Sequence, residues 1–517
     1  MSINYKNTAL GIELGSTRIK AVLLDRAHTV IASGEYVWEN SLVDGIWTYS
    51  MEDALKGIQS CYADLKRKLP EAPTAFGAIG VSGMMHGYLP FDAKWRQLAP
   101  FRTWRNTMTG EAAEKLSELL SFNMPQRWCV SHYYQAILNK EPHVENVAHL
   151  MTLAEYIHFL LTGENVAGIG EASGMFPIDS EKLDFDERRL ALFDSVSGME
   201  RPLRTLLPKV LTAGENAGFL TARGAALLDA DGDLKYGVPF CPPEGDAGTG
   251  MVATNSVRVQ TGNVSAGTSD FAMLVADHEL GVHREINMVT TPAGLPVAMV
   301  HCSNCTSDIN AWVALFAEFA KAIGAETDTG KLYTLLFKKA LEGEADCGGL
   351  LSYNYFSGEG VTGVDEGRPV FMRKPDSSLT LANFMRTHLL SALATLKIGL
   401  DILKDHEDVP IERIYGHGGF FKTPVVGQRL LSAAINAPVS VMETAGEGGP
   451  YGMALLASFM LRRSEGETLE DYLDNRVFAG ARSSTVMASQ IDVDGFSDFV
   501  ESYKKAFEIE KLAPKLF

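Results

Sequence analysis

Two short turns of one glycine and two hydroxyl residues stand near the start and the middle of the chain, Gly15-Ser16-Thr17 and Gly267-Thr268-Ser269. Backbone N–H groups and short hydroxyls in such a turn can surround a polyphosphate without help from lysine. Either turn alone is ordinary hairpin chemistry. Together, in matching positions of two halves and each with an acidic residue beside it (Glu13 and Asp270), they point to a phosphate-bearing ligand.

Other motifs are excluded by their own spacing. A Walker A loop is absent, because Phe421 precedes Lys422-Thr423 where a glycine is required. Gly358 to Gly363 matches G-x-G-x-x-G, but Asp365, Gly367 and Pro369 follow where that fingerprint needs a helix. Gly80-Val81-Ser82-Gly83-Met84 has a methionine where a nucleophile elbow has its second glycine. Cys302 and Cys305 have metal-ligand spacing without a second pair, so no metal is assigned to cysteine.

The turns need strands to hold them. Thr8 to Leu14 and Arg18 to Asp25 read as a hairpin, Thr29 to Trp38 as a third strand and Met51 to Leu69 as a helix on that sheet. Phe76 to Ser82 is a short buried strand type that runs into Gly83-Met84-Met85-His86-Gly87, a ligand loop at a strand end. The second half repeats the plan, with Val264 to Ala266 and Asp270 to Asp277 around the second turn, and Ile411 to Tyr415 leading into Gly416-His417-Gly418-Gly419. Helices are expected over Leu379 to Leu403, Lys422 to Asn436 and Gly448 to Leu461. Strands alternating with helices indicate α/β domains. The boundary is placed after the Gly/Pro-rich stretch Pro239 to Gly250, giving domains 1–255 and 256–517 with a cleft between them. Phe496, Phe499, Val500, Tyr503 and Phe507 share one face of a closing helix, which reads as a helix packed on a domain surface.

At 517 residues the chain exceeds the size at which one core stops growing. With 64 acidic against 46 basic residues the formal net charge is −18, which disfavours nucleic acid and anionic membrane partners at long range. Small anionic ligands remain open, because backbone donors can hold phosphate inside an acidic protein. Six scattered cysteines are too sparse for a disulfide scaffold and fit a reducing compartment. With no signal-peptide apolar region and no spanning run, the chain is expected to be cytoplasmic.

With these motifs in order, the chain resembles the FGGY-type carbohydrate kinases, in the superfamily that also holds actin and the heat-shock chaperone ATPases. Leu10 to Lys20 looks like the family's first phosphate loop and Val264 to Ser269 its second. Ala78 to Gly87 resembles the sugar-side loop of xylulose and ribulose kinases, with Trp104-Arg105-Asn106 near the family's Trp-Asn-Asp element. Glu244 to Gly250 is similar to the catalytic segment, Gly416 to Phe420 to the adenosine loop, and Glu443, Gly446, Glu447, Gly448 and Gly452 to the start of its closing helix.

The resemblance implies two ribonuclease H-like (actin-like ATPase) domains, each a mixed five-stranded sheet with helices, closing on ATP and a sugar. A sugar hydroxyl is a poor nucleophile, so a carboxylate must take its proton during attack on the γ-phosphoryl group, and Asp246 is the expected general base. Glu13 stands where the family usually has Asp and is expected, with Asp246, at Mg2+. Gly15, Ser16, Thr17, Lys20, Gly267, Thr268 and Ser269 would cradle phosphates, and Gly418, Gly419 and Phe420 would lie at the adenosine. Met84, Met85, His86, Trp104, Arg105 and Asp246 would line the sugar pocket. The implied reaction is phosphorylation of a ketopentose at its terminal hydroxyl, L-ribulose first and D-xylulose next, with other sugars and polyols open. A catalytically silent actin-like sensor of sugar and nucleotide is the alternative of another class, and a homodimer is compatible with either.

Overall fold

The chain changes direction at the first glycine-hydroxyl turn, and the strands on either side pair back on each other. Ala9–Leu14 runs antiparallel to Arg18–Leu24 with Glu13 opposite Lys20, and the turn closes through the Gly15 N–H to the Arg18 carbonyl at 3.0 Å. Val30–Val37 adds an outer antiparallel strand. On the other side Ala78–Gly83 pairs in parallel with Ala9–Leu14, and Glu244–Gly245 pairs in parallel beyond it. All six residues of Ala78–Gly83 are buried, as a parallel strand covered on both faces must be. The structure, a computed structural model, describes residues 3–325, 327–443 and 448–516.

A second sheet repeats the plan around the second turn. Thr261–Ala266 and Asp270–Val275 form the hairpin, Pro296–Cys302 lies outside it, and Arg413–His417 and Val439–Met442 continue in parallel on the other side. This sheet has seven strands rather than the expected five. Ile286–Thr290 folds back antiparallel on Pro296–Cys302 as one added edge, and Ser483–Val486 caps Val439–Met442 as the other.

Helix Met51–Arg67 packs on the first sheet and the 25-residue helix Leu381–Asp405 on the second. Helix Gly449–Arg462, although late in the chain, crosses back to lie on Ala9–Leu14, on Ala78–Gly83 and on helix Asp246–Ala253. Gly452 makes that approach close: a Cβ there would stand 2.8 Å from the carbonyl carbon of Thr249 and 3.2 Å from the nitrogen of Ala253. A cut in the sequence at 255/256 therefore does not divide the packing, because the second half returns a helix to the first sheet.

Phe496, Phe499, Val500 and Tyr503 of helix Gln490–Lys505 are buried against helices Leu381–Asp405 and Val426–Ile435. Arg386 and Asp492 form a buried ion pair at 2.8 Å in the same packing. Among the described residues the carboxylates of Asp229, Asp231 and Asp233 form a group spaced for a metal ion, but the Lys66 ammonium lies 2.8, 3.0 and 2.6 Å from them and supplies the positive charge itself. The six cysteines are free and buried, and no helix of the described residues is long and apolar enough to cross a membrane.

Candidate active site

Both glycine-hydroxyl turns are held from behind. In the first, Trp38 Nε1 donates to the Gly15 carbonyl at 2.7 Å, the Tyr49 hydroxyl to the Ser16 carbonyl at 2.5 Å and the Trp38 N–H to the Thr17 carbonyl at 3.3 Å. In the second, Thr306 donates twice to the Gly267 carbonyl, from its N–H at 3.0 Å and its hydroxyl at 2.7 Å, and the Cys305 N–H donates to the Thr268 carbonyl at 2.9 Å. With the carbonyls turned inward and the glycine N–H closing each turn, the N–H and hydroxyl groups of Ser16, Thr17, Thr268 and Ser269 have no partner among the described residues. Ser16, Thr17 and Thr268 are exposed and Ser269 half-exposed, so both turns present donors suited to an anion.

Two carboxylates neighbour each other beside the first turn. Asp246 begins helix Asp246–Ala253, where the N-terminal end of the helix favours negative charge, and its Oδ1 accepts from the Met85 N–H at 3.0 Å. Burial nevertheless raises its pKa, against the hydrogen bonds from Met85 and Ala247. Glu13 Oε2 is shut off from solvent with no hydrogen-bond donor among the described residues, and it occupies the space that a side chain on Gly449 would need, at the start of helix Gly449–Arg462. Burial first, then the charge of Asp246, push Glu13 up to about 8, while Lys20 on the paired strand acts the other way. Two neighbouring carboxylates that repel each other, one with an orphaned oxygen, fit a hard divalent cation such as Mg2+. The extra methylene of Glu13 relative to Asp carries its carboxylate to Gly449.

The loop after Ala78–Gly83 meets Asp246 on its other side. The Met84 N–H donates to the Leu14 carbonyl and its side chain is core, whereas Met85 lies along Gly245. His86 adopts a positive φ of 73°, contacts the Gly174 carbonyl through Nδ1 at 3.2 Å and stacks on Trp128 with ring centroids 6.1 Å apart. Burial holds its pKa well below the usual histidine range, so the ring is neutral. Gly418 and Gly419 are exposed, and Gly418 packs against Ala266, the last strand residue before the second turn. This sets the candidate adenosine loop beside the candidate phosphate turn.

The family comparison then decides what this arrangement belongs to. The N-terminal domain of the FGGY family of carbohydrate kinases matches residues 8–252, and its C-terminal domain matches residues 262–461. The chain belongs to that family. It is an ATP-dependent carbohydrate kinase of the actin-like ATPase fold. It is 22% identical to a xylulose kinase of Haemophilus influenzae, over 76% of this chain and 79% of that one. With a xylulose kinase of Lactococcus lactis it shares 20% identity over 87% of each. The crystal structure of xylulose kinase from Rhodospirillum rubrum has the same fold, with a TM-score of 0.79, 18% identity and coverage of 98% and 99%.

Within this FGGY kinase three of the expected residues are held by neighbouring aromatic side chains. Phe420 is fully buried against Phe337 and Phe421, which leaves only its backbone for a nucleotide. Arg105 is exposed with its guanidinium 3.9 Å from the Trp47 ring centroid, near Tyr49 and the first turn, while Trp104 packs against the first-sheet core. Asn106 exchanges hydrogen bonds with the Trp47 backbone, at 2.9 and 2.8 Å, and is structural. Gly446 and Glu447 lie outside the described residues.

Other groups at the cleft went unread in the sequence. Arg127 and Trp128 adjoin His86, and His301 and Asn287 approach Arg127 from the second sheet. Glu171, wholly buried, stands against Gly245. No spacing in the sequence relates these positions.

Proposed function

We propose that this FGGY kinase transfers the γ-phosphoryl group of ATP to the terminal hydroxyl of a sugar-sized acceptor, with Asp246 as general base. The observation that supports this reading is the position of Asp246: half-buried, bonded to the Met85 N–H of the sugar-side loop and neighbouring Glu13 at the first phosphate turn. Asp246 would accept the hydroxyl proton as the acceptor oxygen bonds to the γ-phosphorus. The bond from that phosphorus to the bridging oxygen breaks, and ADP leaves with the electron pair. A pKa raised by burial makes Asp246 a stronger base than an exposed aspartate. Ser16, Thr17, Thr268 and Ser269 would bind the phosphates from both sides, and Gly418 and Gly419 would admit the adenosine. Glu13 and Asp246 are the residues that would hold Mg2+, whose charge would neutralise the phosphates.

Ketopentoses are the first acceptors to examine. The relatives named xylulose kinase favour D-xylulose, and L-ribulose is the ketopentose to set beside it. An ADP-release assay with Mg-ATP across pentuloses, hexuloses, polyols and sugar acids tests the reading. Turnover with at least one acceptor of this size is expected, and silence across the panel overturns it.

A further inference from the structure

Arg127 holds a guanidinium that no carboxylate neutralises. Its Nη2 donates to Asn287 Oδ1 at 2.6 Å and approaches Met299 Sδ at 3.5 Å, and among the described residues it makes no ion pair. The three remaining donors, one on Nε and two on Nη1, have no acceptor among the described residues, and the side chain is half-buried, not sealed from solvent. Burial pulls its pKa down to about 10, which leaves it charged at neutral pH, and no carboxylate acts in the opposite direction. His86 and His301 flank it, and both are held neutral by burial and by the guanidinium itself, His301 at about 4. The cluster therefore presents one unopposed positive charge.

Its place is the acceptor side. The Arg127 carbonyl accepts from the Gly87 N–H at 3.1 Å, and the Met85 N–H bonds Asp246, so one residue, His86, separates the anchors of the arginine and of the proposed base. Trp128, next to Arg127, stacks on His86 in that loop. Asn287, Met299 and His301 come from the second sheet, so the guanidinium is assembled only where the two halves meet. A half-buried guanidinium with three donors unused and no opposing carboxylate is suited to charge-assisted hydrogen bonds with an anionic ligand.

We propose that Arg127 selects the acceptor by binding a carboxylate at the end remote from the phosphorylated hydroxyl, which makes sugar acids of the aldonate class the preferred substrates. This rests on the sugar-kinase reading and narrows it, placing acids ahead of neutral ketopentoses of the same length. Nε and Nη1 would give the carboxylate charge-assisted hydrogen bonds, with the neutral histidines as further polar contacts.

The test compares kcat/KM for pentonates and hexonates with that for pentuloses and hexuloses, in wild type, Arg127→Met and Arg127→Lys. The wild type is expected to prefer an acid, and Arg127→Met to collapse the acid-to-neutral ratio about 100-fold or more, chiefly through KM. Arg127→Lys restores part of that ratio. Calorimetry of the wild type with an aldonate and with the matching ketose gives the same answer without any variant. Turnover of neutral sugars with no preference for acids overturns the Arg127 inference and leaves the kinase reading standing. Absence of turnover with every acceptor overturns both.

Discussion

The Met85 N–H and the Oδ1 of Asp246 are 3.0 Å apart, and this bond ties the sugar-side loop to the carboxylate that begins the next helix. Asp246→Asn keeps an oxygen that can accept the Met85 N–H, so the loop stays in place while the proton acceptor is lost. We expect kcat to fall about 10³-fold with acceptor affinity, measured by calorimetry, held within about threefold. Near-normal turnover removes Asp246 as the base.

The hydroxyls of Ser16 and Thr268 stand exposed on equivalent turns with no partner among the described residues. Ser16→Ala and Thr268→Ala should each raise the KM for ATP about tenfold, the value of one hydrogen bond to a charged oxygen, with thermal stability unchanged. An unaltered KM in both variants would mean that the turns do not hold the nucleotide.

Gly452 lies over the backbone of Thr249 and Ala253, and backbone atoms cannot swing away as a side chain would. Gly452→Ala should push helix Gly449–Arg462 off helix Asp246–Ala253, moving Gly449 away from Glu13 and disturbing Asp246. A loss of about 2 kcal/mol in denaturant unfolding, with a fall in kcat, is expected. Wild-type stability in this variant would show that the two helices do not meet as described.

Glu155 caps helix Leu153–Thr162: its Oε2 accepts from the Thr152 N–H at 2.8 Å, while Oε1 is buried without a partner. Burial raises its pKa to about 8. A carboxyl raised on folding favours the native state below its unfolded value, near 4.5, and that contribution is lost as pH climbs to about 8. The unliganded protein should therefore lose stability from about pH 5 to pH 8. Glu155→Gln, which retains the cap through its amide oxygen, should show a shallower decline in Tm. Glu171 and Glu244, raised by the same burial, keep part of the slope in place. Identical slopes for wild type and variant would mean that Glu155 is ionised in the folded chain.

The hairpins, their two turns and the loop after Ala78–Gly83 were legible in the sequence because each depends on neighbours a few residues away: alternation makes the strands, and small hydroxyl residues make the turns. The pairing of the halves was legible too, since duplicated turn chemistry is a local pattern met twice. Asp246 was singled out by the order of these motifs, not by its surroundings. What local pattern could not contain was decided by packing between distant segments. Helix Gly449–Arg462 returns to the first sheet because glycines leave room for it, and only that return sets Gly449 against Glu13. Phe420 is turned into the core, and Arg105 lies on Trp47, by contacts that their loops do not spell out. Arg127 and Asn287 are 160 residues apart, and neither has a spacing that marks it. Their hydrogen bond, and the unopposed charge it leaves facing the loop of His86, exist only because the edge of the second sheet is brought against the first half of the chain.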